Sequence, residues 1–350
     1  MSLKVAVLKG GGSLERPVSL RSGAQVQDAL ERLGHEVIAI DVGADLIRRL
    51  HQAEPDVAFV ALHGRDGEDG TIQGLLEAID LPYTGSGPSG CMRCTDKALA
   101  KHLMREAGLP TPDFYAFKES TIKELDVAAA LPDVERKLGF PVVVKPASQG
   151  SALGVKFAHS SDELPGAIVG ALSYDRKVLI ERYVRGRDLA VSVLGSPAAA
   201  APASAAPPAE RSAGRTAAAT LQALPVVEAI PRDDSFYSYQ SRYEIGMTTF
   251  VCPAEIDPQL AARAQALALE CFELLGCHGC ARVDLMLEDG GGELLLLEVN
   301  VVPGLTETSL LPQAADAAGI GFDELIERIL DSAFSRPSRA LASTPDRAPT

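Results

Sequence analysis

Three residues near the C-terminal end of the chain carry the clearest chemical signal: Asp284 in RVDLML, and Glu298 with Asn300 in LLLEVN. Both runs are apolar and of strand length, so polar side chains there are costly to bury without a partner. Residues two apart on a strand face the same way, so Glu298 and Asn300 project together, and Asp284 joins them if the two strands are neighbours. Two carboxylates and an amide oxygen are hard donors suited to Mg²⁺ held between protein and phosphates. The competing reading is three strand-end polar residues reaching solvent. A second signal is ASQGSALGV, residues 147–155, between the strand patterns Val142–Val144 and Gly154–Ala158. Its Gly/Ser-rich turn can wrap phosphate oxygens with backbone N–H groups; the plainer alternative is a mere hairpin loop. Together with two separated lysines, Lys97 and Lys145, these features are explained most simply by ATP with magnesium. There is no Walker A motif, and Gly10, Gly11 and Gly12 do not make the G-x-G-x-x-G of a dinucleotide site.

The elements that must position these residues follow a mixed α/β grammar. Strand patterns at Leu3–Leu8, Val37–Ile40 and Val57–Leu62, with an amphipathic helix at Ser19–Leu33, predict βαβ units and a parallel sheet. The turns GGGSLER (10–16) and LHGRDGEDG (62–70) follow two of these strands and should meet at one sheet edge. After the turn-rich stretch Pro82–Gly90 the pattern changes. Helices are expected at Asp96–Ala107, Val127–Leu138, Pro258–Leu275 and Phe322–Leu330, and strands at Thr248–Val251, Ala281–Leu287 and Glu293–Val299. Residues 196–219 hold 12 Ala and 4 Pro, which reads as an inserted disordered loop with little to bury. The Pro-rich end from Arg336 reads as a frayed tail.

Composition narrows the partners. The chain has 350 residues with 33 Lys+Arg against 47 Asp+Glu, a net charge of −14, and 46% hydrophobic residues. That length suits two or three domains with real cores and excludes global disorder. The acidic balance argues against nucleic acid and anionic membrane surfaces, leaving small molecules as partners. No apolar stretch approaches about 18 residues, and MSLKVAVLKGGG reads as a strand entering a turn, so a cytoplasmic enzyme is expected. Six cysteines are too few for a disulfide scaffold. Cys91/Cys94 and Cys277/Cys280 have C-x-x-C spacing, yet the pairs lie far apart in sequence, and ordinary thiols are the better reading than zinc ligands.

In this order and spacing, GGGSLERPVSL, ALHGRDGEDGTIQG, LPYTGSGPSG, TDK, VVVKPASQGSALGV, VLIERYV, FYSYQSRY, ARVDLML and LLLEVNVVPGLTETSLLP resemble the D-alanine–D-alanine ligases of the ATP-grasp superfamily. The resemblance spans nearly everything outside the Ala/Pro insert and tail. It implies three domains: residues 1–95 with the first D-alanine site, 96–186 with the phosphate flap, and 187–335 with the metal site and the insert, followed by the tail 336–350. It implies phosphorylation of one D-alanine carboxylate by ATP and attack by the amine of a second, serving peptidoglycan precursor synthesis. It further implies a homodimer and two Mg²⁺ ions, replaceable by Mn²⁺.

Carried over position by position, Lys97, Lys145 and Arg242 face ATP phosphates, Glu181 and Asp188 match adenine-edge and ribose positions, and Asp284, Glu298 and Asn300 hold metal. Glu15 pairs with the first ammonium, and His63 belongs to the same pocket. Ser309 with the Leu310 N–H takes the second carboxylate, while Arg282 and the Gly304 N–H stabilise the tetrahedral oxyanion. Ser151 and Tyr243 join Glu15 in a set that closes loops over the substrates. Each has a plainer alternative: Glu15 a helix start, Tyr243 a packed aromatic, His63 a satisfier of backbone groups, and Arg282 and Ser309 a salt bridge and a cap. The chain departs from the family pattern at Arg242, where Lys is usual, Asp188 for Glu, Ala152 for a serine, and Val301–Val302 for a more polar pair. Tyr243 favours an amine over a D-lactate nucleophile. Two other readings stay open: a related ligase for a different amino-acid pair, and a catalytically silent nucleotide-binding protein.

Overall fold

The computed structural model describes residues 2–124, 127–195, 221–231 and 248–336. The Ala/Pro insert, Arg242, Tyr243 and the tail from residue 337 lie outside the described residues.

The first region contains β1 (Lys4–Lys9), α1 (Arg16–Arg32), β2 (Glu36–Asp41), α2 (Leu46–Ala53), β3 (Val57–Val60), α3 (Thr71–Ala78), α4 (Pro88–Thr95) and α5 (Lys97–Glu106). The second runs through β4 (Phe114–Lys118), α6 (Glu119–Glu124), a 3₁₀ turn (Val127–Ala130), α7 (Leu131–Leu138), β5 (Val142–Pro146), β6 (Lys156–Ala158), α8 (Leu164–Leu172) and β7 (Lys177–Arg182). The third comprises β8 (Gly186–Gly195), β9 (Gln222–Ala223), β10 (Val227–Pro231), β11 (Thr248–Val251), α9 (Pro258–Leu275), β12 (Gly279–Glu288), β13 (Leu294–Asn300), α10 (Leu310–Ala317) and α11 (Phe322–Ser332).

The three sheets keep to these regions. β2-β1-β3 is parallel throughout, as the βαβ grammar requires. β4-β7-β5-β6 and the larger β11-β10-β8-β12-β13, with β9 beside β8, are antiparallel. β1 and β3 are neighbours, so the GGGSLER and LHGRDGEDG turns do leave the same end of the same sheet.

The expected helix Val127–Leu138 divides into a 3₁₀ turn and α7. Pro132 lacks an N–H and is tolerated only in the first turn, so the α-helix starts beside it. The turn-rich stretch likewise gives way to α4 at Pro88, in the first helical position. Arg336, expected to begin the tail, instead sits 3.9 Å over the Tyr83 ring and donates to Gly85 O.

One core layer joins the first sheet to the last helices: Val5, Leu30 and Phe59 pack with Leu311, Ile326 and Ile329. A second buries α9 and Met104 of α5 against the large sheet. Ala98 of α5 also touches Phe114 and Leu179 of the four-stranded sheet, so α5 packs against both antiparallel sheets. Asp96 caps α5, accepting from Ala98 and Leu99 N–H at 3.1 Å each. That cap places Lys97 at the first helical position, where the chain crosses between sheets.

Candidate active site

The two N-terminal turns are tied together by Ser13, whose hydroxyl donates to His63 O at 2.7 Å and accepts from Glu15 N–H at 3.1 Å. Glu15 stands at the start of α1 but makes no side-chain capping bond there. Its carboxylate turns inward, 3% exposed, and accepts a hydrogen bond from Ser151 Oγ in the flap 136 residues away. Gly64, at φ +70°, leaves room for this, since a Cβ there would run into Glu15 Oε2. Among the described residues Oε2 itself has no hydrogen-bond partner. Burial pushes the Glu15 carboxyl above the ordinary range and Glu68 adds to the rise, with Ser151, His63 and Lys97 opposing it. An anion with an unpartnered, buried oxygen is a receptor for a cation.

Glu15, Ser151, Lys97, Arg282, Gly304 and Ser309 line a cavity of about 60 Å³. A second cavity of about 160 Å³ is lined by Lys145, Glu181, Asp188 and Asp284, with apolar walls including Val143 and Met286. Lys97, Glu298 and Leu310 line both. Lys97 Nζ donates to Gln149 O at 2.8 Å and lies 3.3 Å from Glu298 Oε2. A lysine and a carboxylate thus form the wall between the two spaces.

In the larger cavity Val143 pairs with Glu181 across β5 and β7, so Lys145 is the diagonal same-face neighbour of Glu181 and forms an ion pair with it. Lys101, wholly buried, approaches the other Glu181 oxygen at 3.1 Å and donates to Thr111 Oγ1. Burial alone would raise the Glu181 carboxyl, but Lys101 and Lys145 outweigh it and hold it below the ordinary range. Burial draws Lys101 down to about 8 against the pull of Glu181.

The metal-type trio meets as its spacing requires. Asp284 lies directly opposite Glu298 across β12 and β13, and Arg282 opposite Asn300, so all four side chains share one face. Arg282 holds Asp284 through two hydrogen bonds of 2.6 and 2.7 Å, so its salt-bridge reading holds while it also lines the smaller cavity. Asn300 Oδ1 accepts from Val302 N–H at 2.9 Å, which fixes its orientation and leaves it a second lone pair. No cluster of three or more His, Cys, Asp or Glu is placed to hold a metal among the described residues. Two facing carboxylates and an amide oxygen still fit an ion that takes its other ligands from phosphates and water. The cysteines serve packing here: Cys91, Cys94 and Cys277 are buried in the second core layer, with Cys94 Sγ 3.5 Å from Cys277 Sγ.

After β13 the chain turns at Gly304, where a Cβ would lie 2.5 Å from Ser309 Oγ. Ser309 occupies the N-cap position of α10 without a capping bond, and its hydroxyl accepts from Thr306 N–H at 3.0 Å. Leu310 is the first residue of α10, whose N-terminus faces both cavities.

The structure therefore gathers Glu15, His63, Lys97, Ser151, Arg282, Glu298, Asn300, Gly304, Ser309 and Leu310 around one cavity, and Lys145, Glu181, Asp188 and Asp284 around the adjoining one. Sequence reading missed Glu68, which lines the smaller cavity 3.4 Å from His63 Nδ1, and Lys101. Lys101 had a signal: it is four residues from Lys97 on α5 and so shares its face.

Two antiparallel sheets meeting over a lysine-lined cavity, together with a parallel-sheet α/β region, define the ATP-grasp class of fold. The comparisons narrow this: the chain matches the family models D-ala D-ala ligase N-terminus over residues 45–86 and D-ala D-ala ligase C-terminus over 103–210 and 216–331. The chain belongs to the D-alanine–D-alanine ligase family. A D-alanine–D-alanine ligase from Syntrophotalea carbinolica is 41% identical over 95% of this chain and 97% of its own length. One from Moorella thermoacetica is 40% identical over 95% and 99%. The crystal structure of D-alanine–D-alanine ligase from Bacillus anthracis complexed with ATP superposes with a TM-score of 0.75 at 31% identity, covering 95% of this chain and 98% of that one.

Proposed function

We propose a division of labour in which the larger cavity takes ATP and the smaller one the two D-alanines. The chain is an ATP-dependent ligase that forms D-alanyl-D-alanine. The observation that carries the assignment of sites is the buried Glu15 oxygen without a hydrogen-bond partner among the described residues, in a cavity that shares Lys97 and Glu298 with a lysine-lined neighbour.

Glu15 receives the ammonium of the first D-alanine, and its carboxylate then points toward the Lys97–Glu298 wall. Lys97 and Lys145, with Arg242, neutralise the phosphate chain, and charge neutralisation with alignment is most of what phosphoryl transfer needs. Glu181 holds Lys145 toward that chain while Asp188 takes the ribose side. Two bound Mg²⁺ ions, replaceable by Mn²⁺, would be held by Asp284, Glu298 and Asn300 and would lower the phosphate charge further. Ser309 and the Leu310 N–H hold the carboxylate of the second D-alanine, whose amine attacks the acyl phosphate. Arg282 and the Gly304 N–H meet the oxyanion that forms. Ser151 and Tyr243 close over Glu15 and keep water from the acyl phosphate.

The same reading places a homodimer in the cytoplasm with no nucleic-acid or membrane partner. A net charge of −14 supports the former exclusion, and no helix among the described residues is long and apolar enough to cross a membrane. The decisive experiment is phosphate release with ATP and Mg²⁺ across D- and L-amino acids and D-lactate, with mass spectrometry of the product. D-Alanyl-D-alanine is expected. A product containing only another residue at the second position would overturn the substrate assignment and point to the pocket around Val301, Val302 and Ser309.

A further inference from the structure

α1 presents a serine that none of the roles above uses. Ser22 is fully buried, and its Oγ accepts from the Leu305 N–H at 3.2 Å and lies 3.2 Å from His63 Nε2. A hydroxyl that accepts from a backbone amide has one proton left to donate, and His63 Nε2 lies within its reach. On the other side of the ring, His63 Nδ1 lies 3.4 Å from Glu68 Oε1. Glu68, His63, Ser22 and Leu305 therefore form one chain of polar contacts.

The far end of that chain is the turn that carries the oxyanion donor. Three successive amides are disposed there: Thr306 N–H goes to Ser309 Oγ, Leu305 N–H goes to Ser22 Oγ, and the Gly304 N–H has no protein acceptor among the described residues. The Ser309 tether is local, whereas Ser22 is 283 residues from Leu305 and belongs to the first-substrate side of the site. α1 is itself anchored one turn earlier, where Ser19 Oγ accepts from Gly10 N–H at 2.8 Å and donates to Ala61 O at 2.7 Å.

We propose that Ser22 is a positioning residue for the ligation step: with His63 and Glu68 lined up behind it, it holds the Leu305 amide and so aims the Gly304 N–H at the oxyanion. This rests on the reading of Gly304 as the oxyanion donor. Ser22 would have no part in phosphorylating the first D-alanine, so its loss should separate the two half-reactions.

The test compares Ser22→Ala and the near-isosteric Ser22→Cys, whose thiol is a weak donor and acceptor, with Ser19→Ala as the control on the same helix. Dipeptide formation is measured alongside the first half-reaction, read as D-alanine-dependent scrambling of a heavy-oxygen label between bridging and non-bridging positions of ATP. Expected is a fall in kcat for dipeptide of about tenfold to a hundredfold in both Ser22 variants, as for a displaced oxyanion donor. The scrambling rate and the KM for ATP should stay within about twofold, and Ser19→Ala should not split the two steps. An unchanged kcat, or equal loss of scrambling and ligation in whichever Ser22 variant folds, overturns the proposal. Failure of the wild-type chain to make D-alanyl-D-alanine would instead sink the underlying functional reading.

Discussion

The two adjoining cavities each bury a glutamate, and the two glutamates are opposites. Glu181 has an ammonium group at each oxygen and is held below the ordinary carboxylate range. Glu15 has a serine hydroxyl at one oxygen, no hydrogen-bond partner at the other among the described residues, and Glu68 nearby, and it is pushed above that range. A buried charge already satisfied by the protein stiffens its site, whereas one left unsatisfied is stored binding capacity for a ligand of opposite sign. On the proposed reading, the nucleotide side is thus preorganised by internal ion pairs. The amino-acid side is then completed by its substrate.

Neutralising the unsatisfied member should have the largest effect. Glu15→Gln should lower kcat/KM for the first D-alanine on the order of a hundred to a thousandfold while leaving the KM for ATP nearly unchanged. The same variant should melt slightly higher at neutral pH, because it removes a destabilising buried charge. A fall in Tm would show that Glu15 is structurally satisfied after all.

Breaking the satisfied member should act the other way. Lys101→Met strips one cation from Glu181, and denaturant titration should show a loss of about 3 kcal/mol, with D-alanine kinetics in the folded fraction little altered. A selective loss of D-alanine binding without destabilisation would erase the distinction between the sites.

Acid should separate the two glutamates. A group with a raised folded-state value becomes protonated first as pH falls, so D-alanine saturation should weaken above the ordinary carboxylate range. Glu181, lowered on folding, contributes stability that is present above its unfolded value and lost only as pH falls through its folded one. Activity and melting followed over one pH series should therefore fail in that order, and Glu15→Gln should flatten the first limb.

The smallest effect is expected far from both cavities. Gly195 and Gln222, at the ends of β8 and β9, lead into and out of the Ala/Pro insert, and the two strands pair at Val193–Ala223 and Leu194–Gln222. A short hairpin can bridge those ends, so deleting residues 197–218 should leave turnover within about a few fold. A loss beyond about a hundredfold would give the insert a part in catalysis.

Much of this was legible before any coordinates. Period two in RVDLML and LLLEVN put Asp284, Glu298 and Asn300 on one face, and the observed register joins them. Pro132 and Pro88 set helix starts that hydrophobic patterning alone placed elsewhere or overlooked. What stayed hidden was the identity of distant partners. Glu68 and Lys101 look like surface charges in the sequence, and Ser22 like any small helix residue.

The sequence by itself determined the chemistry available: hard oxygen donors on paired strands, lysines, a Gly/Ser flap, and turns at the ends of parallel strands. These follow from local rules of alternation and turn geometry that act over a few residues. Only the tertiary structure decided that, among the described residues, Glu15 Oε2 would face no cation while each Glu181 oxygen would face a lysine, and that Ser22 would meet Leu305. Burial and charge neighbours set those outcomes, and both depend on chain segments brought together from tens to hundreds of residues apart and, for Lys101, on the packing of one helix between two sheets.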